Sequence, residues 1–404
     1  MPEITPRQRL SMAARKWPWL RALLKTLRRD VLEKGRAQLM DLWRVLAPTR
    51  SFRLGPPKGS FSIFQSWRHE NRRPRRVLLT DQGVPNVAPD SLLILSGMQQ
   101  HTCQPWPIFW SQHQNARLVS PTLALVDERK NLCREAAYGD ACFTDDPAWR
   151  YWTLPKPVYL QGNWTSLVSR WNPNVPSIAY MNFTHWLLDA LPRLMLLPDF
   201  PPDTRILVPS ELAGYQKATL AMLGLTDRVR LTPEPHLVVE NYFFASPTAM
   251  IDCYNPAGIN FLREKFLPLA DKNYAGPKKF LIHRANKSRG IINEAEVYAW
   301  LRARGWEIVD AEKLTFPQQI KLFSEAEAIT GVSGSGFTNV AWCRPGCKVL
   351  QLVAESWPDG YAECLTQVVG AEFYYRIFPA DHALRAHIDL SALAELFQSA
   401  GLIK

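Results

Sequence analysis

Residues 328–339 have the sequence Ala328-Ile-Thr-Gly-Val-Ser-Gly-Ser-Gly-Phe-Thr-Asn339, which predicts a strand, a Gly/Ser loop and a helix in succession. Small residues let the backbone approach an anion, and a helix N-terminus directs free N–H groups towards it. The spacing matches neither G-x-G-x-x-G nor the phosphate-binding loop that ends in Lys-Ser/Thr. A phosphate site and a tight strand-to-helix turn therefore both remain open at this point.

The C-terminal half alternates between strand and helix patterns on both sides of this loop. We predict strands at 279–282, 306–309, 328–332 and 349–353, and helices at 294–304, at 315–324 and from the loop to Trp342. Such alternation is typical of a parallel sheet covered on both faces, in which ligands bind beyond the carboxyl ends of the strands. Ser333–Gly336 and His283-Arg284 both follow predicted strands. We therefore expect both segments on one functional rim.

Length and cysteine content set broad limits. The 404 residues suffice for two domains of ordinary size, and the 47% hydrophobic content is typical of a folded chain. The 7 cysteines form no C-x-x-C motif and no secretory signal precedes them, which favours reduced thiols in a cytosolic setting. Cys343 and Cys347 flank a turn where metal ligation is conceivable, but without a second pair a place in the core is favoured.

The positive charge is concentrated at the N-terminus. Residues 1–76 hold 19 Lys or Arg against 5 Asp or Glu, which leaves 29 against 32 in the remainder of the chain. The body is therefore nearly neutral, and we expect no nucleic-acid partner because it lacks the basic surface that such binding needs. If nucleic acid were bound after all, deletion of residues 1–76 should abolish that binding.

The basic segment carries an amphipathic pattern. Leu20, Leu24, Leu27 and Val31 recur at helical spacing, and Lys and Arg occupy much of the remaining surface. Such a helix is typical of proteins that lie on an anionic membrane, whereas a span would need about 20 consecutive apolar residues. We expect residues 1–50 to contact an anionic membrane surface, with a basic helix packed on the protein or on a partner as the alternative.

Residues 77–265 predict a second, less regular α/β unit. We expect strands at 91–96, 205–208 and 238–245, and a helix at 210–223 with Ser210 as its N-cap and Gly224 as its stop.

One helix in this unit, at 182–194, combines an apolar sequence with a polar stripe. Asn182, His185, Asp189 and Arg193 follow one another at helical spacings of three and four residues. Polar side chains on so apolar a helix need a reason, although Pro192 makes the position of Arg193 less certain. A catalytic pair of His185 and Asp189 and a structural pair that joins two elements are equally compatible with this pattern.

Three segments together resemble glycosyltransferase family 61, which includes bacterial capsular-polysaccharide enzymes, plant arabinosyl- and xylosyltransferases and animal O-GlcNAc transferases. The resemblance covers roughly residues 180–377 in the family's order. The matching positions are Asn182, His185, Asp189, Leu191, Pro192 and Arg193, then Arg284, Arg289, Asn293 and Glu294, and finally Gly331, Gly334, Gly336, Thr338, Asn339, Pro345 and Gly346.

The resemblance implies an α/β fold of two facing Rossmann-like domains (GT-B type), preceded here by a basic helical leader. The divisions would be 1–76 for the leader and linker, 77–265 for the acceptor-side domain and 266–404 for the nucleotide-sugar-binding domain, whose last helix is a candidate to pack back on the first domain. The implied catalytic residues are His185 and Asp189. The implied donor-binding residues are Arg284, Arg289, Asn293, Ser333, Gly334, Ser335, Gly336 and Asn339. The implied acceptor-side residues are Asn182 and Arg193.

The chain departs from the family pattern at three positions. Ser333 stands where the loop has a histidine, Ser335 where it has an alanine, and Gln351 where the next strand has an acidic residue. These departures put in doubt any role that requires a histidine or a carboxylate at those points.

The leading hypothesis is an inverting, metal-independent glycosyltransferase that builds a bacterial surface polysaccharide. It would use a nucleotide-sugar donor, a glycan or lipid-linked glycan acceptor and no cofactor, in the cytoplasm at the inner face of the membrane. The alternative is a non-catalytic nucleotide- or sugar-binding protein that keeps the fold.

Overall fold

The structure, a computed structural model, describes residues 59–61, 76–78, 108–127, 131–137, 154–168, 182–250, 253–284 and 289–404. The predicted leader helix and the predicted strand at 91–96 lie outside these residues. Strands and helices alternate in the described part, which confirms a mixed α/β fold with two main sheets.

The N-terminal unit is built on a mixed sheet of nine strands. These are β1 (Gly59–Phe61), β2 (Arg76–Leu78), β3 (Ile108–Val119), β4 (Ala124–Val126), β5 (Asn131–Cys133), β6 (Val158–Ser166), β7 (Arg205–Pro209), β8 (Val229–Thr232) and β9 (His236–Ala245). Their order is β1-β5-β4-β3-β9-β6-β7-β8, with β2 also paired to β3. The pair β10 (Ala249–Met250) and β11 (Cys253–Tyr254) forms a separate small ribbon.

This sheet corrects the expectation of a Rossmann-like first domain. β3 pairs antiparallel with both β4 and β9, whereas β9, β6, β7 and β8 run parallel. The turn between β3 and β4 is too short for a crossover connection, so these two strands can pair only as a hairpin.

The C-terminal unit is built on a parallel sheet of five strands. They are β12 (Lys279–Ile282), β13 (Glu307–Val309), β14 (Ala328–Val332), β15 (Lys348–Ala354) and β16 (Glu372–Phe378), in the order β13-β12-β14-β15-β16. Every pair in the sheet is parallel. The order is that of a doubly wound sheet, whose direction of winding reverses between β12 and β14. The predicted bounds of β12 and β14 are confirmed.

Seven α-helical segments occur in the described residues. They are α1 (Phe183–His185), α2 (Gly214–Met222), α3 (Pro256–Phe266), α4 (Glu294–Arg302), α5 (Phe316–Ser324), α6 (Tyr361–Val369) and α7 (Leu390–Ser399). The predicted start of α5 is confirmed, because Thr315 caps it in a capping box with Gln318. The short helix after the Gly/Ser loop is a 3-10 helix, Ser335–Trp342.

The prediction of Ser210 as an N-cap is wrong, because α2 begins at Gly214 after Ala213. The buried side chain of Gln216 accepts a hydrogen bond from the Ala213 N–H at 2.8 Å, and this contact sets the start of the helix. Gly224 adopts a left-handed conformation with φ of 66°, as expected of a residue that stops a helix.

The helix with the polar stripe is composite. α1 continues into a π-helical turn, Trp186–Ala190, and then into a 3-10 segment, Leu191–Asp199; we call the whole of 183–199 the composite helix. Pro192 has no N–H to donate to the Leu188 carbonyl, and the Thr248 hydroxyl donates to that carbonyl instead, at 3.3 Å. π-Helical turns often mark functional sites.

One hydrophobic core joins the two units. It combines Leu187 and Ile206 of the N-terminal unit with Phe280 and Ile329 of the parallel sheet. Phe266, Phe316 and Trp342 meet in edge-to-face contacts inside it. A second core covers the other face of the parallel sheet, where Phe397 of α7 packs against Trp300 and Trp306.

Candidate active site

The carboxyl ends of β12 and β14 bring the two expected rim segments together. Arg284 follows β12, Ser333 follows β14, and the Arg284 Nη1 donates to the Ser333 carbonyl at 3.3 Å. Because the sheet winds in opposite directions on either side of these strands, a crevice opens between their ends, and ligands bind there in doubly wound folds. The structure thus unites Arg284 with the Gly/Ser loop, as the sequence predicted.

Gly334 allows this approach. A Cβ atom on Gly334 would lie 1.8 Å from the Arg284 Nη1, so any larger residue would displace the guanidinium. The φ of Gly334 is 173°, an extended conformation open to every residue, so space rather than backbone strain requires the glycine.

A cleft of about 810 Å³ begins at this rim. Its volume falls within the range of about 300–1,000 Å³ that is typical of small-molecule sites. Both units line it: Asn182, Phe183 and Tyr215 from the N-terminal unit, and Arg284, Glu312, Phe316 and the loop from the C-terminal unit. Of the predicted site residues, Asn182, Arg284, Gly334, Ser335, Gly336 and Asn339 line the cleft.

The predicted pair of His185 and Asp189 is confirmed as a contact. The His185 Nδ1 lies 2.5 Å from an Asp189 carboxylate oxygen, with 18% and 5% of their side chains exposed. Asn182 caps the helix by accepting from the backbone N–H groups of Thr184 and His185. Thr184 in turn is hydrogen-bonded to Thr338 of the 3-10 helix at 2.7 Å, which fixes the His185 turn against the C-terminal unit.

Two polar residues near this pair, Asp359 and Tyr361, were not predicted from the sequence. Asp359 acts electrostatically on His185, Arg289 and Tyr361, and burial raises the pKa of its carboxyl. The buried Tyr361 hydroxyl donates to the Gly334 carbonyl, which ties this cluster to the Gly/Ser loop. The sequence signal for these two residues was weak, a single Asp-Gly-Tyr stretch after β15.

Arg289 joins this cluster in an unusual conformation. Its φ is 69°, in the left-handed region, and its guanidinium lies 5.4 Å from the centre of the Trp357 ring. A strained backbone at a non-glycine residue occurs preferentially at functional sites. Burial and then the nearby charge of Arg289 lower the pKa of Arg284. Two guanidinium groups within electrostatic range of each other favour an anion near them.

Two of the departures from the family pattern contact one another. The Gln351 Nε2 donates to the Ser333 hydroxyl at 2.7 Å and to the Asp359 carbonyl at 2.9 Å. Ser333 and Gln351 are both buried. A histidine and a carboxylate at these two positions would therefore also be neighbours.

Three predicted site residues form hydrogen bonds within the protein itself, and their expected roles stay predictions. Asn293 exchanges hydrogen bonds with the Ile388 backbone and does not line the cleft. The buried Arg193 donates to the carbonyls of Asp189 and Val168, because the 3-10 segment turns it towards the N-terminal sheet. Asn339 lines the cleft, but its amide binds Gln319 and Trp342.

Within the described residues, no three His, Cys, Asp or Glu side chains converge as a metal site would require. Across the same part of the chain, no helix combines the length and the apolar character needed to cross a bilayer.

The family model described as Glycosyltransferase 61 matches residues 183–350. This segment is therefore similar to glycosyltransferase family 61, in agreement with the resemblance seen in the sequence. The match takes in the His185 and Asp189 pair, both arginines and the Gly/Ser loop, and it ends before Asp359 and Tyr361. No curated protein matches the chain.

Proposed function

We propose that the protein is an inverting, metal-independent glycosyltransferase that moves a sugar from a nucleotide-sugar donor to a glycan acceptor. The observation that carries this proposal is the position of Arg284 at the reversal point of the parallel sheet, against the Gly/Ser loop and within electrostatic range of Arg289. This arrangement offers fixed positive charge to a nucleoside diphosphate leaving group, which becomes more negative as the glycosidic bond breaks. The match to the family model supports sugar transfer as the chemistry.

In the proposed reaction, His185 is the base. With its Nδ1 hydrogen bonded to Asp189, the Nε2 takes the proton from the acceptor hydroxyl. The hydroxyl oxygen forms the new bond to the anomeric carbon, while the bond from that carbon to the phosphate oxygen breaks. The nucleoside diphosphate leaves with the electron pair, and its charge is stabilised by Arg284 and Arg289. No further cofactor takes part.

The cleft between the two units supports a two-unit arrangement of the site, with donor groups on the parallel sheet and acceptor groups on the N-terminal unit. Asn182 and Phe183 line the cleft opposite the Gly/Ser loop. We further propose that the protein works in the cytoplasm at the inner face of a bacterial membrane, on a glycan or lipid-linked glycan for a surface polysaccharide. The basic segment 1–50 motivates this location.

Incubation of the full chain with a panel of nucleotide-sugars tests the proposal. Slow donor hydrolysis, read as nucleoside diphosphate released in the presence of a chelator, is the expected result. Binding of nucleotides without release from any donor would instead identify a non-catalytic protein that keeps the fold. If nucleoside diphosphate is released only when the chelator is absent, the proposal of metal independence is wrong, but the proposal of sugar transfer is not.

A further inference from the structure

The part of the cleft away from the arginines is apolar and aromatic. Phe183 packs edge-on against Tyr215 with ring centres 5.2 Å apart, and against Phe316 at 6.2 Å. Phe183, Tyr215 and Phe316 all line the cleft. These contacts hold Tyr215 in place at the boundary between the two units.

Tyr215 carries an unexplained polar atom. Its hydroxyl oxygen is buried and finds no hydrogen-bond partner among the described residues. A buried hydroxyl without a partner is costly, so such an atom in a ligand cleft indicates a group that a ligand satisfies.

A carboxylate lies along the same cleft. Glu312 follows β13, the strand next to β12, and its side chain is exposed to the cleft. It lines the same cleft as Arg284 and acts on that guanidinium electrostatically. In doubly wound folds, an acidic residue near the end of the strand next to the phosphate-binding one accepts hydrogen bonds from ribose hydroxyls.

We propose that the aromatic end of the cleft is a nucleoside subsite in which Glu312 accepts hydrogen bonds from the ribose diol and the Tyr215 hydroxyl bonds to a polar edge of the base. The base then lies among Phe183, Tyr215 and Phe316, and the diphosphate extends to Arg284. This inference rests on the proposed function, because it assigns the nucleoside half of the same donor. It also orients the donor in the cleft, so that the sugar lies beyond the diphosphate, towards His185 and Asp359.

The experiment is calorimetric titration of the full chain with UDP, GDP, ADP and CDP and with their 2′,3′-dideoxy counterparts. For the diphosphate that binds best, Glu312→Ala should weaken binding about tenfold or more, because a hydrogen bond to a charged acceptor is lost. The same variant should not weaken binding of the dideoxy analogue, which has no ribose diol to lose. Glu307→Ala, an exposed carboxylate on β13 that does not line the cleft, is the matched control.

Tyr215→Phe provides a second, independent measurement. It should weaken binding of the same diphosphate while the melting temperature of the ligand-free protein stays the same or rises, since a buried unsatisfied hydroxyl is removed. A variant that merely damaged the fold would lose both affinity and melting temperature.

Two kinds of outcome overturn the assignment, one at each residue. Equal losses for the ribose and dideoxy ligands, or no loss with Glu312→Ala, would remove Glu312 from the site. An unchanged affinity in Tyr215→Phe would assign the aromatic end to something other than the base, for example an acceptor sugar. Failure of the unaltered protein to bind any nucleoside diphosphate would instead overturn the proposed donor itself, which distinguishes that failure from the other two.

Discussion

Arg284 lies against the Gly/Ser loop, Arg289 acts on it electrostatically, and both positive charges would be stabilised by a bound anion. We expect Arg284→Ala and Arg289→Ala each to weaken nucleoside diphosphate binding by about 1.5–3 kcal/mol, the usual contribution of a charge-assisted hydrogen bond. The affinity for the free nucleoside should hardly change. Titration with both ligands measures this, with Arg304→Ala as a surface control, since Arg304 stacks on Trp300 away from the cleft. Equal losses for nucleoside and diphosphate would show that the arginines support the fold instead.

The contact between His185 and Asp189 gives a prediction for turnover. His185→Ala and Asp189→Asn should each lower turnover by roughly two to four orders of magnitude, because general-base catalysis is lost, while the donor affinity changes little. Steady-state kinetics with the donor identified by the hydrolysis panel provide the measurement. His387→Ala, at an exposed histidine outside this cluster, should retain full turnover. If both variants at the pair stay near normal, the base lies elsewhere, and Asp359 is the next residue to test.

Asp359 gives a prediction about pH. Burial raises the pKa of its carboxyl in the folded state, so the native protein keeps a proton that the unfolded chain has already lost. The free energy of unfolding therefore falls as the pH rises from the pKa of Asp359 in the unfolded chain to its pKa in the folded protein. Above the folded pKa, this loss of stability remains.

The Tyr361 N–H donates a hydrogen bond to the Asp359 carboxylate at 3.3 Å. Asp359→Asn keeps an acceptor for this N–H and removes the loss of stability that ionisation causes. We expect the variant to melt at a higher temperature than the unaltered protein at pH 7. The difference should shrink as the pH falls to about 4, near the pKa of an unfolded aspartate. Thermal denaturation across this range is the measurement, and a gap that stays constant with pH would show that ionisation of Asp359 is not its cause.

At the scale of elements, the Gly/Ser loop works through its lack of side-chain volume. Gly334→Ala would place a Cβ against the Arg284 guanidinium, where 1.8 Å separates the two positions. We expect the variant to fold, because the extended backbone suits alanine, and to lose diphosphate affinity to about the same extent as Arg284→Ala. The double variant should be no worse than either single variant, since both remove the same contact.

Gly214→Ala is the matched control for this loop variant. Gly214 also lines the cleft, but a Cβ there meets nothing within 4 Å. Diphosphate affinity should therefore survive Gly214→Ala. If the losses from Gly334→Ala and Arg284→Ala add up in the double variant, the glycine acts on something other than the arginine.

At the scale of the whole molecule, the two sheets are not independent bodies. Their inner helices share one core in which Phe266, Phe316 and Trp342 pack together, and Thr184 is hydrogen-bonded to Thr338 across the boundary. The composite helix belongs to the N-terminal unit yet presents His185 to groups of the C-terminal unit. The geometry of the candidate site therefore depends on the packing of both units.

The basic segment lies outside the described residues, and its role remains a prediction about the whole chain. The full chain should co-sediment with anionic vesicles, because each basic residue near such a surface contributes about 1 kcal/mol. High salt should release it, since salt screens the attraction. Deletion of residues 1–50 should abolish vesicle binding. Binding that survives the deletion, or that ignores lipid charge, would leave this segment as a partner-binding arm.

Local sequence determined much of the parallel sheet. The strand bounds at Lys279–Ile282 and Ala328–Val332 and the capped start of α5 follow from residues within a few positions of each other. The i,i+4 contact of His185 with Asp189 is likewise a local consequence of helical geometry. The Gly/Ser loop was identifiable because small residues between a β-branched run and a helical segment form a pattern within a few positions of the chain.

Tertiary structure decided which polar residues meet. Asn293 and Arg193 matched a motif, but distant carbonyls of Ile388 and Val168 hold them away from the cleft. Asp359, Tyr361 and Glu312 reach the site only because parallel strands bring their carboxyl ends to one rim, and strand order is set by long-range pairing. The Ser333 and Gln351 contact has the same origin, since neighbouring strands bring the two residues together across 18 positions of sequence. Local patterns specify the helices and strands, whereas the site is formed by contacts between residues that are distant in the sequence.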